Sequence, residues 1–116
     1  MLWYDFTRNN SFVPARVSFR GQVQCDSCMK YTPSVWEFVG SNDDVCTGSG
    51  NWTVLCQDSS DIVIKEPYET KYCDVVSNDP NEDQQEFRCL GINVIRAQNP
   101  WTGLSNVRMW KSVKMN

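Results

Sequence analysis

The stretch that decides the fold runs from Arg16 to Cys28 and reads R-V-S-F-R-G-Q-V-Q-C-D-S-C. In its first ten residues, apolar or small side chains at 17, 19, 21, 23 and 25 alternate with polar side chains at 16, 18, 20, 22 and 24. A period of two is typical of a half-buried β-strand, because successive side chains point to opposite faces. The pattern predicts a strand over 16–25 with its polar face in water.

Several other segments carry strand patterns rich in β-branched and aromatic residues. Strands are predicted over 34–40, 52–57, 61–65 and 92–97, with a last strand or short helix over 106–113. One segment carries helix signals instead. Asn78-Asp79 supplies an N-cap and Pro80 suits the first turn. Phe87 and Leu90 form an inner stripe, and Gly91 supplies a stop.

These signals predict a helix over 80–90 behind an antiparallel sheet of four or more strands. Because strands dominate the chain before the helix and follow it again, the fold class predicted is α+β. At 116 residues, we expect one secreted, disulfide-rich domain over 1–116.

Cysteine usage indicates an oxidising compartment. The chain has six cysteines, an even number that is normal in secreted proteins: Cys25, Cys28, Cys46, Cys56, Cys73 and Cys89. Two glycosylation sequons, at 9–11 and 51–53, are compatible with secretion. The start of the chain lacks the basic and apolar regions of a signal peptide, so we expect the mature form of a secreted protein.

The pairing of the six cysteines stays open, since fifteen connectivities are possible. Local pairs would join Cys46 to Cys56 and Cys73 to Cys89, which would leave Cys25 with Cys28. We favour a crossed pattern in which Cys25 or Cys28 is bonded to a later cysteine, because a disulfide that closes a longer loop stabilises the fold more. Each such disulfide contributes about 2–4 kcal/mol to the free energy of unfolding.

Two other chemistries could use the Cys25-Asp26-Ser27-Cys28 segment. A zinc site would combine Cys25 and Cys28 with Cys46 and Cys56, but nine residues separate the second pair, where a zinc ribbon has about two to four. A redox site would need a helix beginning at the motif, and the following residues read as a strand. We therefore expect no metal and no cofactor.

Catalysis is also disfavoured. The chain contains no histidine, the usual base for nucleophilic mechanisms. Acid pairs such as Asp58 with Asp61, or Glu66 with Glu69, are compatible with glycoside hydrolysis but are typical of solvated turns. We predict that the protein is not an enzyme.

Charge is distributed unevenly. The whole chain has a net charge of −3, while residues 25–91 carry −9, residues 1–24 carry +2 and residues 92–116 carry +4. If the terminal segments pair in a sheet, the molecule has a basic side that steers association with a charged partner. The alternative to such a steering surface is a set of solvated faces that differ in charge.

Tryptophans and bases near the C-terminus also suit a nucleic-acid surface, but the acidic total argues against it.

Part of the chain resembles a known family. The motif consists of Val23-Gln24-Cys25-x-x-Cys28, followed by Pro33 and Val35-Trp36-Glu37-x-Val39. It resembles a segment of the small secreted avirulence effectors of Leptosphaeria, the avirulence-and-suppressing (LARS) family. Members are non-enzymatic fungal proteins with a small antiparallel sheet, a helix and disulfides. The resemblance implies a protein that binds a host plant protein, suppresses immunity and is recognised by a resistance receptor.

A second resemblance supports an alternative function. Residues 21–28, G-Q-V-Q-C-D-S-C, are similar to the signature of pollen proteins of the Ole e 1 type. Tyr72-Cys73 and Cys89-Leu90-Gly91 are similar to fungal secreted proteins of the Alt a 1 type. Both imply an extracellular structural or allergen-like protein without a catalytic role.

Loops 40–51 and 98–106 are the predicted contact regions, because rigid scaffolds often carry binding residues on loops. A second predicted surface is formed by the two arginines of the opening strand and the C-terminal bases. The candidate partner-binding residues are Arg16, Arg20, Asn99, Trp101, Arg108 and Lys111. We expect a secreted monomer, with translocation into a host cell as a further option, and neither nucleic acid nor a membrane as a partner.

Overall fold

The computed structural model describes residues 1–7, 10–11, 13–20, 33–58, 70–75, 85–97 and 105–111. These residues form two antiparallel sheets that face each other across one core. The strands are β1 (Leu2–Asp5), β2 (Pro14–Arg20), β3 (Pro33–Ser41), β4 (Thr53–Asp58), β5 (Thr70–Asp74), β6 (Cys89–Ala97) and β7 (Ser105–Lys111). The four-stranded sheet has the order β1-β6-β3-β4, and the three-stranded sheet has the order β5-β2-β7.

The predicted α+β class is wrong, because the described part of the chain is all-β. Within the predicted helix 80–90, residues 85–90 contain no helix, and β6 begins at Cys89. A single helix of this length is marginal without tertiary support. Here the segment instead supplies a strand that pairs with β3 on one side and β1 on the other. Residues 80–84 lie outside the described residues.

Most of the strand predictions are confirmed in position. The strands predicted over 34–40, 52–57 and 92–97 correspond to β3, β4 and the later part of β6. Of the segment 106–113, residues 106–111 belong to the strand β7 and form no helix, and residues 112–113 lie outside the described ranges. The opening strand begins at Pro14 and is described as far as Arg20; residues 21–25 and 61–65 lie outside the described ranges. The described ranges contain no helix of the length and apolar character needed to span a bilayer.

The core is formed by aromatic and aliphatic side chains from both sheets. Phe19 of β2 meets Trp36 of β3 in an edge-on contact with ring centroids 4.9 Å apart, and both side chains are fully buried. The other buried members of this cluster are Val17, Phe38, Phe87, Leu90 and Ile92. Alternation along β2 thus buries Val17 and Phe19, as the sequence predicted.

Two glycines permit close approach in the four-stranded sheet. A Cβ atom on Gly40 would lie 2.6 Å from the Phe87 ring, so the absence of a side chain lets that ring cover β3. A Cβ atom on Gly91 would lie 2.8 Å from the Leu2 carbonyl oxygen and 2.9 Å from the Trp3 Cβ atom. Gly91 therefore allows β1 to lie directly against β6.

Two disulfides among the described residues close the structure, which confirms its disulfide-rich character. Cys56 of β4 is bonded to Cys73 of β5, so this bond joins an edge strand of one sheet to an edge strand of the other. Beside it, Lys71 Nζ of β5 lies 3.5 Å from the Asp58 carboxylate of β4. We call this side of the molecule, where β4 meets β5, the closed side.

The second disulfide joins Cys46 to Cys89 and ties the loop after β3 to the first residue of β6. The local pairs considered for these cysteines are therefore wrong. The crossed pattern is also wrong, because the four later cysteines pair with one another and leave none for Cys25 or Cys28. Those two residues lie outside the described ranges. Spacing could not decide this pairing, since strands distant in sequence bring the sulfurs together.

The Cys56–Cys73 bond should contribute strongly to stability. It closes a loop with a sequence separation of 17, and loop-closure entropy assigns about 3 kcal/mol to a closure of that size. We expect the Cys56→Ser/Cys73→Ser double variant to lose about this free energy of unfolding in urea denaturation. A loss below about 0.5 kcal/mol would show that the two sheets stay together without the bond.

Candidate functional site

The outer face of the three-stranded sheet collects arginines and aromatic side chains. Arg16 of β2 lies opposite Asp74 of β5 and Trp110 of β7, and Ser18 lies opposite Tyr72 and Arg108. Because alternate residues of a strand share a face, the inward-pointing Val17 and Phe19 place their neighbours outward. We call this surface the arginine face, and its members are Arg16, Ser18, Arg20, Thr70, Tyr72, Asp74, Arg108 and Trp110.

Arg16 is fixed in position by two neighbours on β5. Its guanidinium donates to both carboxylate oxygens of Asp74, at 2.6 Å and 3.3 Å, and lies 4.7 Å from the centre of the Tyr72 ring. The hydrogen bonds to Asp74 raise the pKa of Arg16, and those from Arg16 lower the pKa of Asp74 below its usual 3.8. Both side chains are exposed, so this pair orders the surface more than it stabilises the fold.

Two aromatic side chains on the arginine face are exposed to solvent. Tyr72 is 57% exposed and Trp110 is 42% exposed, although large aromatic residues usually bury most of their area. Trp, Tyr and Arg are the residues that most often carry the energy of protein interfaces. The face therefore has the composition of a binding surface.

A small cleft lies within the arginine face. It has a volume of about 120 Å³ and is lined by Ser18, Arg20, Thr70, Arg108 and Trp110. Ser18 in this lining is only 4% exposed, and the lining includes an arginine from each of the neighbouring strands β2 and β7. A cleft of this size and charge suits a single carboxylate, which arginine binds through paired N–H donors.

The structure brings together only some of the predicted partner-binding residues. Arg16, Arg20 and Arg108 share the arginine face. Lys111 ends β7 and lines a separate groove, whereas Asn99 and Trp101 lie outside the described residues. The two terminal segments contribute neighbouring strands to one sheet, since β2 pairs with β7 in the three-stranded sheet.

Sequence patterns did not predict Tyr72 as a binding residue, and Trp110 is one of the C-terminal tryptophans whose pattern suited only a nucleic-acid surface. The signal for Tyr72 is a short alternation in which residues 70, 72 and 74 share one face of β5. That segment had no clear strand assignment from sequence, because its inward residues Lys71 and Cys73 do not read as an apolar face. Their burial depends on Asp58 and Cys56 of the other sheet.

The predicted contact loop 40–51 is held at several points. Asp43 accepts hydrogen bonds from the backbone and side-chain amides of Asn51, at 2.8 Å and 3.4 Å. The Trp52 indole donates to the Thr47 carbonyl oxygen at 2.8 Å, and Cys46 is anchored by its disulfide. The loop therefore offers a defined surface, with Val45 74% exposed on it.

Arg88 links this loop to β1. It donates to both carboxylate oxygens of Asp5, at 3.0 Å and 3.1 Å, and to the Asp44 carbonyl oxygen. Its backbone amide donates to the Asn42 side chain at 2.9 Å. The hydrogen bonds from Arg88 and the Thr7 amide lower the pKa of Asp5. Arg88 thus positions β1 on the four-stranded sheet.

The described cysteines do not form a metal site. Asp5, Cys46 and Cys89 place potential ligand atoms within 4.8 Å of one another, but the two sulfurs are bonded to each other. The zinc alternative also loses ligands, because Cys46 and Cys56 are both in disulfides. The thiolate form that binds metal is unavailable to a disulfide sulfur.

Compared with protein-family models, curated proteins and solved structures, the chain matches none of them.

Acid titration tests the Arg16–Asp74 pair. In Arg16→Gln, we expect the pKa of Asp74 to rise toward 3.8, because the charged guanidinium that donates to the carboxylate is lost. In the wild type, the depressed pKa adds stability that is complete above pH 3.8 and is lost as the pH falls through the folded-state pKa.

NMR titration of the side-chain carboxyl carbons measures this shift directly. Asp5 is the internal control, because its pKa is lowered by Arg88 and should stay low in Arg16→Gln. An unchanged Asp74 titration in the variant would show that the two side chains do not interact in solution.

Proposed function

We propose that this protein is a secreted, non-catalytic binding protein whose arginine face recognises an acidic surface on another protein. The observation that carries the proposal is the exposure of Tyr72 and Trp110 among three arginines on one sheet face. Exposed aromatic rings favour a partner that covers them, and the guanidiniums favour carboxylates.

Rigidity supports this assignment. The face is built on three hydrogen-bonded strands whose inner side chains are anchored in the core. Arg16 is already held by Asp74 and Tyr72, so ordering it in a complex costs less conformational entropy. The cleft between Arg20 and Arg108 suits an acidic side chain of the partner, which would add a charge-assisted contact.

The two described disulfides support an extracellular location, since such bonds persist in oxidising compartments. The narrower proposal comes from the LARS-type motif: the partner is a host plant protein, and a resistance receptor recognises the complex or the protein itself. The helix implied by that resemblance is absent from 85–90, so the narrower proposal rests on the sequence motif.

Matched substitutions on the two sheets test the arginine face. Trp110→Ala and Arg108→Gln should each weaken partner binding about tenfold or more, because each removes a contact typical of interface hot spots. The controls Ile95→Ala and Arg96→Gln alter an exposed apolar side chain and an exposed cation of β6. They should leave the affinity unchanged.

Binding is measured by surface plasmon resonance against extracellular and intracellular proteins of the plant host. Arg108→Gln should mainly slow association, with a smaller effect at high salt. If the β6 variants weaken binding as much as the β7 variants, the arginine face is not the interface.

Suppression of immune signalling in leaf tissue, present in wild type and lost in Trp110→Ala, tests the narrower proposal. Its absence despite binding would favour the structural or allergen-like alternative.

A further inference from the structure

We propose that a groove between β1 and β7 binds a long-chain carboxylate of the fatty-acid class. The groove has a volume of about 610 Å³, within the range of about 300–1,000 Å³ typical of small-molecule sites. Its lining comes from both sheets and comprises Leu2, Trp3, Tyr4, Phe6, Ile92, Val107, Met109 and Lys111. This site is separate from the arginine face and does not depend on the function proposed for that face.

Within the described residues, the disulfide and the ion pair that join the two sheets both lie on the side away from the groove. On the closed side, the Cys56–Cys73 bond and the Lys71–Asp58 ion pair connect β4 to β5. The opposite edges of the same sheets are β1 and β7. Each of these strands pairs with its own sheet, β1 with β6 and β7 with β2, so neither fills the space between them.

The position of β1 is determined by its contacts with β6 and with Arg88. Gly91 lets the backbone of β1 approach β6, and the bidentate Arg88–Asp5 pair holds the end of the strand. The side chains of Leu2 and Tyr4 then remain 54% and 61% exposed. Exposed apolar side chains that lie next to one another in this way indicate a site where an apolar ligand binds and covers them.

The charge of the groove lining indicates which class of ligand it binds. Among the described residues that line the groove, Lys111 is the only charged one, and no acidic side chain accompanies it. A cation beside an apolar surface complements an amphipathic anion, with its carboxylate on the ammonium and its alkyl chain on the apolar side chains.

The strand geometry favours an elongated ligand. Val107, Met109 and Lys111 are alternate residues of β7 that face the groove, and Lys111 is the last residue of the strand. At about 3.3 Å per residue, the distance from Val107 to Lys111 along the strand is roughly 13 Å. The cation therefore lies at one end of an apolar track, as recognition of a terminal carboxylate requires.

Calorimetry on the disulfide-intact chain tests the proposal with two probes of equal chain length, dodecanoate and dodecanol. We expect wild type to bind dodecanoate about tenfold more tightly, because the carboxylate adds a charge-assisted hydrogen bond. Lys111→Gln should abolish this preference and retain dodecanol binding. The control Arg96→Gln removes an exposed cation from β6 and should preserve the preference. Equal affinity of wild type for both probes, or no binding of either, would overturn the proposal.

Two further measurements locate the ligand. Leu2→Asp places an anion on an exposed lining residue and should weaken dodecanoate binding more than dodecanol binding. In wild type, dodecanoate should shift the amide NMR signals of β1 and β7 and leave those of β4 and β5 unchanged. Shifts confined to other strands would overturn the site. A concentration-dependent dimer in which Leu2 and Met109 are buried would also overturn it. The same holds if residues of this chain fill the groove in the free protein.

Discussion

The disulfide between Cys56 and Cys73 is the constraint on which the rest of the structure depends. It joins an edge strand of each sheet, and it lies beside the Lys71–Asp58 ion pair. With the sheets tied at this side, Phe19 and Trp36 can meet between them in a contact from which water is excluded. A chain of this size benefits from such a bond because its core is small relative to its surface.

Closing one side leaves the other side of the molecule available for function. Among the described strands, β1 and β7 are the edge strands on the side opposite the bond, and the groove between them combines apolar side chains with Lys111. The same strand β7 presents Arg108 and Trp110 on its outer face. Because neighbouring residues of a strand point to opposite sides, seven residues of β7 supply both an apolar track and part of a cationic, aromatic surface.

The local sequence pattern predicted strands well where apolar and polar residues alternate clearly or where β-branched and aromatic residues form a run. The alternation at 17 and 19 gave the buried face of β2, and the β-branched and aromatic run at 34–40 gave β3. The helix prediction failed over 85–90, the described part of that segment, because a Phe87–Leu90 spacing of three also suits an extended chain whose two faces are both covered. In the folded chain, pairing with β1 and β3 and the bond from Cys89 to Cys46 favour the extended form.

The sequence by itself determined which residues alternate, the uneven charge along the chain and the oxidised, cysteine-braced character of the protein. Only the tertiary structure decided which cysteines pair, that Tyr72 and Trp110 join Arg16, Arg20 and Arg108 on one surface, and that Lys111 lies apart from them. The physical reason is that strand order and register are long-range properties. They depend on how the buried faces of distant segments fit together, and a period of two within one segment carries no information about its neighbours.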